Sequence, residues 1–427
     1  MTTSAESIAQ SQAPAPSPSQ EGAPPRGRVK KLSHMHVPVL DGIRGMAIFV
    51  VMIRHFFMTM EGNLKHGAGA LAGEKFDWLA FNIARFGSSG VTLFFVLSGY
   101  LITGILIDTK EEKNFFKRFY IRRTVRIFPL YYACLALVFW VLPHLNLPPN
   151  HHVGDAGEHQ VWYWTYTVNI WMAWDAIQIT QAGGTTGLYK GLFSFWSLAV
   201  EEQFYMVWPF LVYFLSIKGL KRACIFCIVM AVVLRFVFLG LGYPQVAAYV
   251  LTPTRIDALA IGAWLAIVAR EPEGFKPYLK WAKWALLASA IIAVGSLMGQ
   301  FGEGRTAFIN AMLETPVSIV FGVALLWAVA LPATNIVPRL FTWSFLRFLG
   351  KYAYCLYVAH TLILGITDGY MEKYGITDTT FIPAVYGSVM PGRLLYSLFN
   401  FVITVAVALI SWNLLEKPFL KLKRFAE

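Results

Sequence analysis

The sequence predicts an all-α, polytopic transmembrane helical bundle of about ten spans with cytoplasmic N- and C-termini. Three observations predict it. The 427 residues are 56% hydrophobic and only 14% charged, against about 25% charged in a soluble domain. Several runs approach the roughly 20 apolar residues that cross a bilayer. Lys and Arg are also unevenly divided: with the N-terminus inside, inner segments hold 25 and outer segments 7, the bias that orients membrane proteins.

Residues 1–35, rich in Ala, Pro, Ser and Gln, are expected to be a disordered cytoplasmic tail, because they cannot bury enough apolar surface to fold. Residues 36–427 form the transmembrane domain, with spans expected at 43–60, 90–107, 127–142, 195–217, 223–242, 254–269, 281–299, 311–331, 348–367 and 394–415. The long outer loop 143–194 contains VWYWTYTVNIWMAW. That segment is short and dominated by Trp and Tyr, so it reads as interfacial or re-entrant. Gly90, Ser98 and Gly99 in the second span suit close helix approach.

The net charge of +12 does not imply nucleic acid, since most basic residues lie in connectors between apolar runs. Cys134, Cys224, Cys227 and Cys355 lie in apolar stretches and read as small core residues. No metal site is expected.

Ionisable residues inside spans are costly, and each is a functional candidate. The first span reads LDGIRGMAIFVVMIRHFF. Arg44 and His55 are eleven residues apart, which returns to within about 20° of one helix face and separates them by roughly 16 Å. That arrangement suits a long anionic ligand whose reactive end meets an imidazole. The bland alternative is a positive-inside anchor and an interfacial side chain. RFYIRRTVRIFPLYY gathers Arg122, Arg123 and Arg126 where a helix enters the membrane. Guanidinium forks recognise phosphates, though juxtamembrane arginines also anchor spans or bind anionic lipid. Glu201 and Glu202 open the fourth span, Arg255 and Asp257 the sixth, and His360 lies in the ninth. Arg255 with Asp257 reads as an interfacial ion pair, or, with His55, Glu201, Glu202 and His360, as part of one polar chamber. Asp41, at the start of the first span, is grouped with that chamber.

LDGIRGMAIFVVMIRHFF, GVTLFFVLSGYLIT, RFYIRRTVRIFPLYY, FWSLAVEEQFY, RIDALAIGAWLA and YCLYVAH together resemble, in order, the acyltransferase-3 family of bacterial membrane O-acyltransferases. The resemblance covers residues 40 to about 415. It implies that 36–427 is a transmembrane acyltransferase domain of the bacterial cytoplasmic (inner) membrane. Its activity would move an acyl group, commonly acetyl from acetyl-CoA, to a hydroxyl of a surface glycan or lipid-linked sugar. The family's Arg-x10-His motif falls on Arg44 and His55, its Arg-x-x-Arg motif on Arg123 and Arg126, and its Glu motif on Glu201 or Glu202, with Glu201 favoured.

The expected mechanism has Arg44, Arg123 and Arg126 binding the acyl-CoA, a co-substrate, with no tightly bound cofactor. His55 acts as general base or transient acyl carrier, and Glu201 orients it or stabilises its imidazolium. Membrane lipids are partners, nucleic acid is not, and a second acyl-transfer step would need a separate extracytoplasmic acyltransferase partner. The competing class is a proton-coupled transporter or exporter using the buried His and Glu residues as a relay.

Overall fold

A computed structural model describes residues 37–57, 72–145, 154–181, 190–298 and 307–422. The tail 1–35 lies outside the described residues, as does most of the Gly/Thr stretch before the fourth span. The described residues form helices and no β-strand. In order these are α1 (Pro38–Phe57), α2 (Ala72–Arg85), α3 (Ser89–Thr109), α4 (Phe115–Ala136), α5 (Gly154–Glu158), α6 (Gln160–Trp164) and α7 (Val168–Gln181). They continue with α8 (Phe195–Phe214), α9 (Ile217–Gly240), α10 (Gln245–Val250), α11 (Thr252–Val268), α12 (Lys276–Met298) and α13 (Ala307–Ala330). The chain closes with α14 (Ile336–Phe341), α15 (Ser344–Lys373), α16 (Met390–Ser411) and α17 (Lys417–Leu420).

Among the described residues, seven helical segments are long and apolar enough to cross a membrane. The chain is a multi-pass membrane protein. A long helix lies over each of the ten expected spans; α1, α8 and α12 are not among the seven, and α1 and α8 carry candidate site charges. The aromatic segment divides at Tyr166, whose φ is +55°, into α6 and α7. Neither is as long as the roughly 20 residues a crossing needs.

Burial separates the helices into centre and periphery. In α3 and α15, 72% of the most apolar window is buried, but only 22% in α9. Ile225, Val229 and Val233 of α9 are all exposed and recur every four residues, so they form one outward apolar stripe. Such a surface is stable only against lipid.

Glycines set how closely the central helices approach. A Cβ on Gly45 of α1 would lie 1.8 Å from the Leu346 carbonyl oxygen of α15, and one on Gly350 would lie 1.8 Å from that of Asp41. Between α3 and α11, Gly99 would meet the Leu259 oxygen and Gly262 the Val96 oxygen, each at 1.9 Å. These backbones touch because the side chains are missing, as small residues permit between membrane helices. Gly262→Ala is therefore expected to cost about 1–3 kcal/mol through overpacking. Gly240→Ala, whose Cβ meets nothing within 4 Å, is the control; thermal melting in detergent compares them.

Two departures from expectation concern helix bounds. α4 begins at Phe115, so Arg122, Arg123 and Arg126 stand on a continuous helix rather than in a loop. The sequence reading also missed α2, whose amphipathic pattern is too polar for a span. Its Asp77 is buried and accepts hydrogen bonds from the Ser388 hydroxyl (2.5 Å) and the Val389 N–H (2.8 Å). The segment before α16 is thereby tied to α2.

Candidate active site

α1, α3, α4, α8, α15 and the turns after α16 enclose a cavity of about 650 Å³. It lies at the end of the bundle where α1 and α15 begin and α3 and α16 finish. Its lining runs along α3 from Val91 to Ile105, about 21 Å at 1.5 Å per residue. Five basic groups (Arg44, Arg123, Arg126, Arg347 and Lys351) and four carboxylates (Asp41, Glu201, Glu202 and Glu416) line it.

The carboxylates are partly committed. Arg44 Nη1 donates to Asp41 Oδ1 at 3.3 Å, one turn away on α1. Glu201 lies beside Ser98 and Tyr205, whose hydroxyls bond each other. The Arg123 guanidinium lies 4.1 Å above the Tyr205 ring. Arg44, Arg123 and Arg126 are close enough to repel one another. Neither Arg123 nor Arg126 forms an ion pair among the described residues, and Arg126 is exposed to the cavity. Guanidinium groups gathered in this way, with donors unused, fit a polyanion such as a phosphate chain.

At the mouth, Arg347 and Lys351 are one turn apart on α15, and the Lys351 ammonium lies 5.4 Å from the Trp412 ring centroid. Trp412 opens a five-residue π-helical turn (Trp412–Glu416), a distortion frequent at functional sites. Sequence reasoning counted Arg347 and Lys351 only for topology. Their i, i+4 spacing beside a membrane entrance was the available signal. Trp412 and Glu416 carried none, because their place depends on that turn.

His55 does not line the cavity. It stands beyond it on α1, and His360 stands beyond it on α15. His360 Nε2 lies 3.1 Å from His55 Nδ1. Tyr357, one turn before His360, does line the cavity; its ring centroid is 5.6 Å from that of His360, and its hydroxyl bonds Ser197. Tyr357 thus borders both the cavity and the His360 member of the imidazole pair.

Of the sequence-derived candidates, Asp41, Arg44, Arg123, Arg126, Glu201 and Glu202 share one cavity, and His55 and His360 pair beside it. Arg255 and Asp257 are elsewhere and do not pair with each other. Asp257 Oδ2 accepts from both terminal nitrogens of Arg235 (3.0 Å each) and from the Thr315 hydroxyl (2.6 Å). Arg255 bonds Glu314 and donates to Thr92 at 2.8 Å. Residues two apart on a helix point about 200° from each other, so each meets a different neighbour. Two corrections follow. The single expected polar chamber is divided among the cavity, the His55–His360 pair, and the Asp257–Arg235 and Arg255–Glu314 ion pairs, and the group beside His55 is His360, whereas Glu201 faces the arginines. All four cysteines are buried free thiols. Among the described residues no cluster of His, Cys, Asp or Glu could hold a metal ion.

A family model described as an acyltransferase domain, Acyl_transf_3, matches residues 37–413. The chain belongs to the acyltransferase-3 family. The match takes in every helix around the cavity except α17. Among curated relatives, this acyltransferase-family chain is similar to the peptidoglycan O-acetyltransferase OatA of Listeria monocytogenes, 29% identical over 357 residues, 81% of this chain and 52% of the relative. YrhL of Bacillus subtilis is 28% identical over 408 residues (91% and 56%), and the O-acetyltransferase OatA of Staphylococcus aureus 24% over 413 (92% and 58%). The chain thus spans just over half the length of these relatives. No solved structure matches.

Proposed function

We propose that this chain moves an acyl group, acetyl in the first instance, from cytoplasmic acyl-CoA to a hydroxyl of an extracytoplasmic glycan. The observation that carries this reading is a cavity lined by Arg44, Arg123 and Arg126, with the His55 imidazole about 16 Å further along the helix that carries Arg44. In this reading ten helices cross the bacterial cytoplasmic membrane, both termini are inside, and the cavity opens to the cytoplasm. The names of the relatives support a cell-wall glycan as the class of acceptor. Membership of an acyltransferase family counts against the transporter alternative.

The cavity arginines hold the phosphates, and the thioester arm extends toward Tyr357. The thioester carbonyl must then pass beyond the cavity lining to reach His55. In the direct route, His55 Nε2 takes the proton of the acceptor hydroxyl as its oxygen attacks that carbonyl. The carbon–sulfur bond breaks, and the CoA thiolate recovers the proton as it leaves. In the two-step route, Nε2 attacks the thioester carbonyl and the carbon–sulfur bond breaks, releasing CoA thiolate and leaving an acyl-imidazolium. The acceptor hydroxyl then attacks the acyl carbon, the carbon–nitrogen bond breaks to free Nε2, and the hydroxyl proton balances the thiolate released in the first step.

The test is reconstitution in proteoliposomes, with acetyl-CoA on the cytoplasmic face, a glycan acceptor on the other and mass spectrometry of the acceptor. Acceptor that remains unacetylated by wild-type protein with either peptidoglycan fragments or lipid-linked sugars refutes the reading. For the donor site, Arg123→Ala or Arg126→Ala should each remove a charge-assisted contact of about 1.5–3 kcal/mol. Each should raise the KM for acetyl-CoA by about 10- to 100-fold, with a smaller change in turnover. Initial rates across a donor titration measure this, and an unchanged KM in both variants removes the arginines from donor binding.

A further inference from the structure

The two imidazoles beside the cavity contact each other through a specific pair of nitrogens, and their backbone neighbours fix which nitrogen carries each proton. His360 is completely buried. Its Nδ1 lies 2.7 Å from the Tyr357 carbonyl oxygen and 3.1 Å from that of Leu356. Carbonyl oxygens only accept, so Nδ1 of His360 carries the proton and, in the neutral ring, Nε2 is bare. That bare nitrogen is the one 3.1 Å from His55 Nδ1. His55 Nδ1 in turn lies 3.0 Å from the Val51 carbonyl oxygen. Both neighbours of His55 Nδ1 are acceptors, so it must donate, sharing its hydrogen between them. The reverse assignment would set the lone pair of His55 Nδ1 against the Val51 oxygen. It would also require His360 either to be a buried imidazolium or to turn a lone pair toward two carbonyls.

We propose that His360 is a positioning residue that holds His55 in the Nδ1–H tautomer and so makes Nε2 the reacting nitrogen. This rests on the reading of His55 as base or acyl carrier. Nε2 of His55 makes no hydrogen bond within the described residues, and its ring is only half-buried, whereas that of His360 is sealed. His360 therefore acts through His55 and does not touch substrate. The arrangement parallels a Ser–His–Asp triad, in which a third group orients the imidazole and stabilises its charged form. Here the third group is a neutral imidazole, itself oriented by α15 backbone. When His55 Nε2 gains a proton or an acyl group, the ring becomes cationic. Its Nδ1–H then donates more strongly to the waiting His360 lone pair and the Val51 oxygen. The close crossing of α1 and α15 at Gly45 and Gly350 brings the two rings to 4.9 Å between centroids.

The experiment uses full-length protein in lipid, labelled with ¹⁵N-histidine, alongside His360→Leu and His360→Gln. Solid-state NMR reads the tautomer of His55, with its resonance assigned by loss in His55→Ala. Wild type should show protonated Nδ1 and bare Nε2. His360→Leu should lose that preference and lower kcat on the order of 10²-fold or more, with the KM for acetyl-CoA unchanged. His360→Gln, whose amide oxygen reaches the Nε2 position and accepts from His55, should restore both tautomer and most of kcat. A wild-type His55 protonated at Nε2 overturns the inference even if the variants fail to fold, and so does a folded His360→Leu with normal kcat. Full acyl transfer by His55→Ala, with the Nδ1–H tautomer seen in wild type, would instead refute the function proposed for His55 while leaving the tautomer assignment intact.

Discussion

His55→Ala is expected to reduce acyl transfer by about 10²- to 10⁴-fold, the range that a positioned general base supplies, while leaving the affinity for acetyl-CoA unchanged. The split follows from the geometry. The imidazole lies outside the cavity lining, so the groups proposed to hold the donor do not include it. Truncating it removes chemistry and keeps the phosphate-binding arginines in place. Turnover in proteoliposomes with radiolabelled acetyl-CoA, together with donor titration by calorimetry, separates the two effects. An equal loss in affinity and turnover would place His55 in donor binding. Loading wild type with donor and no acceptor then distinguishes its two roles: an acylated α1 peptide marks an acyl carrier, whereas unmodified peptide marks a base acting directly on the hydroxyl.

The second large effect concerns stability. Arg235 is 2% exposed and Asp257 fully buried, and the pair joins α9 to α11 with Thr315 of α13. Asp257→Ala would leave a buried guanidinium whose remaining partners are the Thr254 carbonyl oxygen and the Thr315 hydroxyl. Breaking a buried pair from one side costs about 3–5 kcal/mol, because the surviving charge is uncompensated. Replacing both partners removes that charge, so Arg235→Leu combined with Asp257→Leu should be markedly more stable than Asp257→Ala alone. Thermal unfolding followed by a thiol-reactive dye suits this comparison, since Cys134, Cys224, Cys227 and Cys355 are buried and free. Equal melting temperatures for the single and double variants would show that the pair does not carry the packing of α9 on α11.

Much of this architecture was legible because bilayers impose simple rules on sequence. Apolar runs mark helices, and small residues mark close crossings. The missed pieces were those for which these rules say little. α2 is amphipathic, and the π-helical turn after α16 has no composition of its own. The arginines of α4 were recognisable as a cluster by spacing, yet their helix begins at Phe115, about three turns before the start that apolar content alone indicated, because polar residues inside a protein-lined cavity do not need apolar neighbours.

The sequence by itself determined that this protein is a multi-pass helical membrane protein of the acyltransferase-3 family, and that Arg44 and His55 share one face of α1. Both follow from local quantities, namely hydropathy along the chain and 100° per residue around a helix. Only the tertiary structure decided which charges meet. Asp257 turned out to partner Arg235 and Arg255 to partner Glu314. Glu201 joined the arginines, and the place beside His55 went to His360, 305 residues away. Partners on different helices depend on crossing geometry and rotation about each helix axis. Those are set by packing at positions such as Gly45 and Gly350, where the absence of a side chain lets two backbones touch.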